Sequence, residues 1–188
     1  MRSGAVLLLF LASLILIFLM PSESSLGESY KLVYFHVPIT VITIGSLLVF
    51  PLLHFRIDIL EMRALSVSTA VYSAVHIAIS SIFMLMAWGG LIFSEIRFVF
   101  SVTLFLFAVT HSLLCFIDVR LARFYSFLIY LMVPYFYFQL TRAEFQLHPT
   151  IVQMPAMLYI PYTLSFPSVF IFYLMMAKEI IRTLIPPS

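Results

Sequence analysis

The five histidines of this 188-residue chain are the side chains best suited to chemistry, because imidazole nitrogens bind haem iron and other transition metals. His36 lies in the segment YFHVP (34–38), and His148 lies 112 residues later in QLHP (146–149). Two imidazoles that face each other are the usual six-coordinate arrangement for haem iron. The sequence therefore offers His36 and His148 as a candidate pair of metal ligands, although a histidine beside an apolar segment is also often solvated or hydrogen-bonded to a neighbouring helix.

Two further histidines, His76 and His111, lie inside apolar segments and form an alternative pair, that of a membrane cytochrome b-type electron-transfer subunit. Counted from the nearest charged residues at ~1.5 Å per residue, the depths of the two histidines in the membrane differ by about 9 Å. They are therefore poorly placed to bind one iron atom together. His54 lies beside Arg56, and no role is predicted for it. The single cysteine, Cys115, excludes a disulfide framework and a CxxC redox pair, and we expect it to pack within a helix.

The segment WGGLIFSEIR (88–97) combines the one tryptophan of the chain with an acid and a base. Trp88 offers a flat aromatic surface for a porphyrin edge, and Arg97 offers a cation for the haem propionates. The alternative is structural, because aromatic residues at helix ends are common interfacial anchors, and Glu95 and Arg97 also suit the cap of a tight turn. On these residues alone, the structural explanation is favoured.

The composition excludes a water-soluble domain. Apolar residues (AVILMFWYC) make up 63% of the chain and charged residues 10%, whereas soluble domains average about 45–50% and about 25%. The mean hydropathy is +1.14. We therefore interpret the chain as an integral membrane protein in contact with lipid. Its net charge of +2, from ten basic and eight acidic residues, is too small and too balanced for binding nucleic acid.

The apolar segments predict an all-α fold in which residues 1–188 form one bundle of six transmembrane helices. Met1-Arg2 also suits a signal peptide, but no small-x-small cleavage site follows, so we expect the first span to be retained. Three prolines, Pro155, Pro161 and Pro167, should kink or delay the last helix. The predicted spans cover about 5–20, 34–53, 64–92, 98–117, 124–138 and 154–177.

Loop charge predicts the orientation of the six spans. One side of the membrane collects seven basic residues and the other collects three. The positive-inside rule therefore places both termini in the cytoplasm and the segments 21–33, 93–97 and 139–153 outside, which brings His36 and His148 to the same outer face. The seven are Arg2, Arg56, Arg63, Arg120, Arg123, Lys178 and Arg182, and the three are Lys31, Arg97 and Arg142.

Three of these motifs together resemble CcmC, the haem-handling membrane protein of cytochrome c maturation, over residues 30 to 155. In that family His-Val-Pro opens the second span, as in 34–38, and an outward loop reads approximately WGxWWxWDxRL, as in 88–97. A second histidine follows span five in a segment like WWNxLHQ, as in 144–149, and a Val-Pro precedes it, as in 133–134. The chain departs from the family where Leu91, Ile92 and Ser94 replace loop tryptophans, where Glu95 replaces Asp, and where Phe145 alone remains of an aromatic pair.

The resemblance implies a plasma-membrane protein that holds haem b as a transient cargo on the outer face. It would present the haem to a chaperone of the CcmE type with the help of ABC transporter subunits of the CcmA and CcmB type. His36 and His148 would be the axial ligands. The surviving loop positions, which would hold the porphyrin edge and dock the chaperone, are Trp88, Gly89, Glu95 and Arg97.

We expect no enzymatic turnover, because the sequence shows no nucleophile with a base, no Gly-rich phosphate loop and no carboxylate pair. Two alternatives to haem delivery remain. One is the cytochrome b-type electron-transfer subunit, and the other is a membrane transporter component without a cofactor, which would be colourless.

Overall fold

The computed structural model describes residues 3–19, 27–142 and 159–184, and within them the chain is entirely helical apart from short turns. The all-α prediction is confirmed. Five helices, α2 to α6, are long and apolar enough to cross a membrane, whereas α1 has 17 residues. The helices are α1 (Ser3–Leu19), α2 (Val33–Leu53), α3 (Ile59–Trp88), α4 (Ile96–Ile117), α5 (Val119–Arg142) and α6 (Tyr159–Leu184), and a 3-10 helix (Glu28–Leu32) precedes α2.

The helix α3 begins five residues before the span expected at 64–92 and ends four residues before its end. It begins early because the Asp58 side chain accepts a hydrogen bond from the Glu61 backbone N–H at 2.8 Å and so caps the first turn. It ends at Trp88 because Gly89 adopts a left-handed conformation with φ of 71°. An apolar run predicts the buried part of a helix but not the polar turn before it or the glycine that stops it.

The last two helices are also longer than the expected spans. Asp118 ends α4, and its carboxylate accepts a hydrogen bond from the Arg120 N–H at 2.7 Å, so α5 begins at Val119 and continues through Pro134. The helix α6 continues through Pro167 to Leu184, beyond the expected end at 177. The expected start at 154 and Pro155 lie outside the described residues.

Hydroxyl groups join the helices inside the bundle. The Tyr173 hydroxyl of α6 lies 2.9 Å from Thr69 Oγ1 of α3 and accepts a hydrogen bond from Ser46 of α2 at 3.1 Å. Ser13 Oγ of α1 lies 3.5 Å from Ser168 Oγ of α6. Such pairs satisfy polar groups that would otherwise be buried among apolar side chains.

Successive helices from α2 to α5 run in opposite directions, so each end of the bundle carries its own turns. We call the end with the 89–95 loop the loop end, and the end with the 54–58 turn the turn end. The α2 helix begins at the loop end and ends at the turn end. The Lys31 ammonium donates to the Phe18 carbonyl at 3.0 Å, so α1 ends at the loop end too.

Candidate functional site

A pair of histidines joins α2 and α3 near the loop end. The Nε2 atoms of His36 and His76 lie 3.2 Å apart, and the ring centroids are separated by 4.3 Å. His36 lies in the first turn of α2, and His76 lies twelve residues before the end of α3. The two rings meet because α2 and α3 are antiparallel and both residues stand 20 positions from Arg56, in the turn that connects the helices.

Each ring is held by a hydroxyl from the opposite helix. Thr40 Oγ1 lies 2.7 Å from His76 Nε2, and Ser80 Oγ lies 3.3 Å from His36 Nδ1. Each hydroxyl stands four residues after the histidine of its own helix and donates to that histidine's carbonyl, Thr40 at 2.8 Å and Ser80 at 2.9 Å. These contacts hold both rings between α2 and α3. Both nitrogens of His36 face side chains of α3, with Nε2 toward His76 and Nδ1 toward Ser80.

A cavity of about 120 Å³ opens beside this pair, with walls from α2, α3, α4 and α5. His36, His76, Glu95 and Arg97 line it together with Tyr137 of α5. Three of the residues selected from the sequence, His36, Glu95 and Arg97, therefore lie on the same cavity although they come from two distant segments. The cavity brings two imidazoles, a carboxyl group and a guanidinium within reach of one ligand.

Glu95 has two roles in this arrangement. Its Oε2 accepts a hydrogen bond from the Phe98 backbone N–H at 2.7 Å and caps α4, as the structural explanation expects. The side chain is nonetheless buried, and its Oε1 has no hydrogen-bond partner among the described residues. The same is true of His76 Nδ1. Buried polar atoms of this kind cost about 1–3 kcal/mol each unless a ligand or water satisfies them, so these two favour an occupant for the cavity.

Trp88 and Gly89 have structural roles in the described part of the chain. The Trp88 ring packs edge-on against Phe83 with a centroid distance of 5.5 Å, and Gly89 ends α3. Neither is among the described residues that line the cavity. His148 and the rest of 143–158 lie outside the described residues, so the pairing of His36 with His148 stays a prediction.

The alternative pairing of His76 with His111 does not form. His76 lies against His36, whereas His111 lies against His54 at the turn end, with 3.1 Å between the Nε2 atoms. Counted from the turn end, His76 lies 17 residues into α3 and His111 lies six residues into α4. At ~1.5 Å per residue their depths therefore differ by about 16 Å, more than the sequence suggested.

The second pair, His54 and His111, was not anticipated from the sequence. His54 follows α2 directly and is buried, while Arg123 places its guanidinium over the neighbouring Phe55 ring and donates to the His54 carbonyl at 3.4 Å. Burial, together with the positive charge of Arg123, lowers the pKa of His54 below its ordinary value. The neutral imidazole is therefore the favoured form. The available signal was the four-residue spacing of His111 and Cys115, which puts both on one helix face.

Comparisons with known proteins provide no family for this chain. No protein-family model matches it, and no curated protein matches it. The resemblance to CcmC therefore depends on the segments 34–38, 88–97 and 144–149. The first two contribute to one cavity at the loop end, and the third lies outside the described residues.

Proposed function

We propose that the protein binds haem at the loop end of the bundle and delivers it for cytochrome c maturation, in the manner of CcmC. One observation carries the proposal: His36, Glu95 and Arg97, which the resemblance selects from two segments, line the same cavity. His36 and Glu95 stand 59 positions apart in the sequence and meet because α2 and α4 both begin at the loop end.

The chemistry of the cavity suits haem as a cargo. His36 would bind the iron through Nε2 by turning its ring away from His76, and the Arg97 guanidinium offers a partner for a propionate. Apolar side chains of Met84, Phe98 and Phe100 on the same walls suit the porphyrin edge. An imidazole, a guanidinium and an apolar wall are each common in protein structures. Together they supply the three groups that a haem site needs, an iron ligand, a propionate partner and a surface for the porphyrin.

The size of the cavity favours a haem that is only partly enclosed. Sites that enclose a drug-sized ligand have volumes of about 300–1,000 Å³, whereas this cavity has about 120 Å³. We therefore propose that one edge of the porphyrin enters the cavity and that the rest extends beyond it, toward the ligand predicted at His148. Partial exposure suits transfer, because a partner can reach the cargo and a small loop movement releases it.

The proposed orientation has six spans, both termini in the cytoplasm and the loop end outside. The excess of basic residues on the other side supports it. The packing of α1 along α6 supports a first span that belongs to the bundle, because Ser13 meets Ser168 and Ile17 is buried. The outer end would then carry the haem cavity.

The proposed partners are a chaperone of the CcmE type and ABC transporter subunits of the CcmA and CcmB type, in a plasma membrane. The 89–95 loop offers a docking surface for the chaperone, because Phe93 is 68% exposed and Leu91 is 40% exposed in the loop that ends at Glu95. An exposed aromatic residue of this loop can pack against the chaperone.

An absorption spectrum of the full-length protein, purified in detergent from haem-replete cells, tests this function. We expect a Soret band in the wild type, and its loss in His36→Ala and in His148→Ala. The control is His54→Gln, which removes an imidazole at the turn end and should keep the band. Added imidazole should restore haem to His36→Ala, a result that a folding defect would not produce. A band retained in both single variants would contradict the assignment of ligands, and a colourless wild type would contradict the function.

A further inference from the structure

A second cluster of ligating side chains lies at the turn end, remote from the cavity. It consists of His54, His111 and Cys115, and each offers a donor atom within 4.8 Å of the donor atoms of the other two. His111 and Cys115 are four residues apart on α4 and therefore share a helix face, and His54 reaches them from the end of α2. All three are buried. Nothing in the proposed haem function uses them.

The donor atoms lie close enough for one ion to join them after a small rearrangement. His54 Nε2 lies 3.1 Å from His111 Nε2, and Cys115 Sγ lies 3.9 Å from His111 Nδ1. Around a metal with bonds of about 2.0–2.3 Å, neighbouring donor atoms are ~3.3–3.8 Å apart. Because His54 and Cys115 approach opposite nitrogens of the His111 ring, a shared ion requires one ring to reorient. His54 can do this most easily, since it belongs to the 54–58 turn rather than to a helix.

Close contacts from α2 and α3 surround the His111 ring. Phe50 stacks on the His111 ring with centroids 4.6 Å apart. On the other side, Ser66 Oγ lies 3.0 Å from His111 Nδ1 and 3.5 Å from Cys115 Sγ. Stacking on Phe50 holds the imidazole in place, and an ion shared with Cys115 at His111 Nδ1 would displace the Ser66 hydroxyl from that nitrogen.

The charges nearby favour a monovalent ion. Arg63 donates to the Cys115 carbonyl at 2.9 Å and Arg123 donates to the His54 carbonyl at 3.4 Å, so two cations flank the cluster. The nearest acids by sequence, Asp58 and Asp118, use their carboxylates to accept backbone N–H groups at helix starts. A divalent ion with one thiolate would leave a net positive charge buried between two arginines, whereas a monovalent ion with one thiolate is neutral.

We propose that His54, His111 and Cys115 bind one Cu(I) ion at the turn end of the bundle. Thiolate and imidazole are ligands that suit this soft ion. On binding, the Cys115 S–H bond breaks, a Cu–S bond forms, and the proton leaves to the solvent; the copper stays Cu(I), so no oxidant or reductant is required.

The test is an anaerobic competition for Cu(I) between the metal-free, full-length protein in detergent and a colorimetric Cu(I) chelator. We expect one equivalent to bind to the wild type, and the affinity to fall at least about 100-fold in Cys115→Ser and in His54→Gln, since even outer partners of a metal site change affinity by 10–100-fold. The matched control is His36→Gln, which removes an imidazole from the other histidine pair and should bind copper as the wild type does.

X-ray absorption at the copper edge of the loaded wild type provides a second measurement that needs no variant. We expect one sulfur and two imidazole ligands per copper. Copper bound by methionine sulfur alone, equal affinity in Cys115→Ser, or tighter binding of Zn²⁺ than of Cu(I) would each overturn the proposal. The haem spectrum of Cys115→Ser should match that of the wild type, so this test and the haem test fail independently.

Discussion

His36 and His76 lie 40 residues apart in the chain, yet their Nε2 atoms approach to 3.2 Å between α2 and α3. Thr40 and Ser80 stand four residues further along the two helices. Thr40 lies against His76 and Ser80 lies against His36, so each imidazole faces a hydroxyl of the other helix. This reciprocal network fixes the orientation of both rings. His36 therefore lies at the wall of the cavity with its Nε2 turned toward His76.

Removing the Thr40 hydroxyl should loosen this network. We expect Thr40→Val to lower the free energy of unfolding by about 0.5–1.5 kcal/mol, the net value of one such hydrogen bond. We also expect it to reduce haem content, because the His76 ring that packs on His36 is no longer held in place. Denaturation in mixed micelles measures the first effect, and the Soret absorbance measures the second. Thr103→Val is the control, since Thr103 also donates to a carbonyl four residues back and, among the described residues, makes no hydrogen bond to an imidazole. Equal effects of the two substitutions would contradict this role of Thr40.

Glu95 should affect both stability and haem. Glu95→Ala removes the cap of α4 and should cost about 1 kcal/mol in unfolding free energy, whereas Glu95→Gln retains an oxygen for the Phe98 N–H and should cost less. We expect haem content to fall in Glu95→Ala. Asp58→Ala removes the corresponding cap of α3 at the turn end, so it should lower stability by a similar amount and leave haem content unchanged. A loss of haem in Asp58→Ala would show that general destabilisation, and not the cavity, is responsible.

Gly89 and Gly90 offer a direct comparison of backbone strain. A Cβ at either position would meet nothing within 4 Å, but Gly89 has φ of 71°. We therefore expect Gly89→Ala to destabilise the protein by about 1–2 kcal/mol, the cost of a side chain in the left-handed region, and Gly90→Ala to change it by less than about 0.5 kcal/mol. Thermal unfolding in detergent measures both. Similar midpoints for the two variants would contradict the left-handed cap at Gly89.

Tyr173 should matter to the packing of α6 through its hydroxyl. Tyr173→Phe removes the hydroxyl that Thr69 and Ser46 share, although Thr69 keeps its hydrogen bond to the Leu65 carbonyl. We expect a loss of about 0.5–1.5 kcal/mol in unfolding free energy, the net value of a hydrogen bond. Tyr130→Phe is the matched control, since that ring is 50% exposed, and its midpoint should not change. An unchanged free energy of unfolding in Tyr173→Phe would mean that the hydroxyl contributes nothing to helix packing.

The helices were largely predictable, and the errors have a common cause. Long apolar runs indicated α2 to α6, but the ends of α3 depend on Asp58 and Gly89 and the start of α5 depends on Asp118. These features depend on single residues at the helix ends, and the mean hydropathy of a segment does not detect them. His36, Glu95 and Arg97 were selected from motifs, but their common cavity required the packing of four helices.

Composition and apolar periodicity were sufficient for an all-helical chain with several helices able to cross a membrane, because 63% apolar residues in long runs permit little else. The sequence did not show which histidines contact each other. Whether His76 meets His36 or His111 depends on the direction, length and rotation of neighbouring helices, which side-chain packing sets across the bundle. Packing therefore brings four histidines into two pairs, one at each end of the bundle, and their order in the sequence does not indicate this pairing.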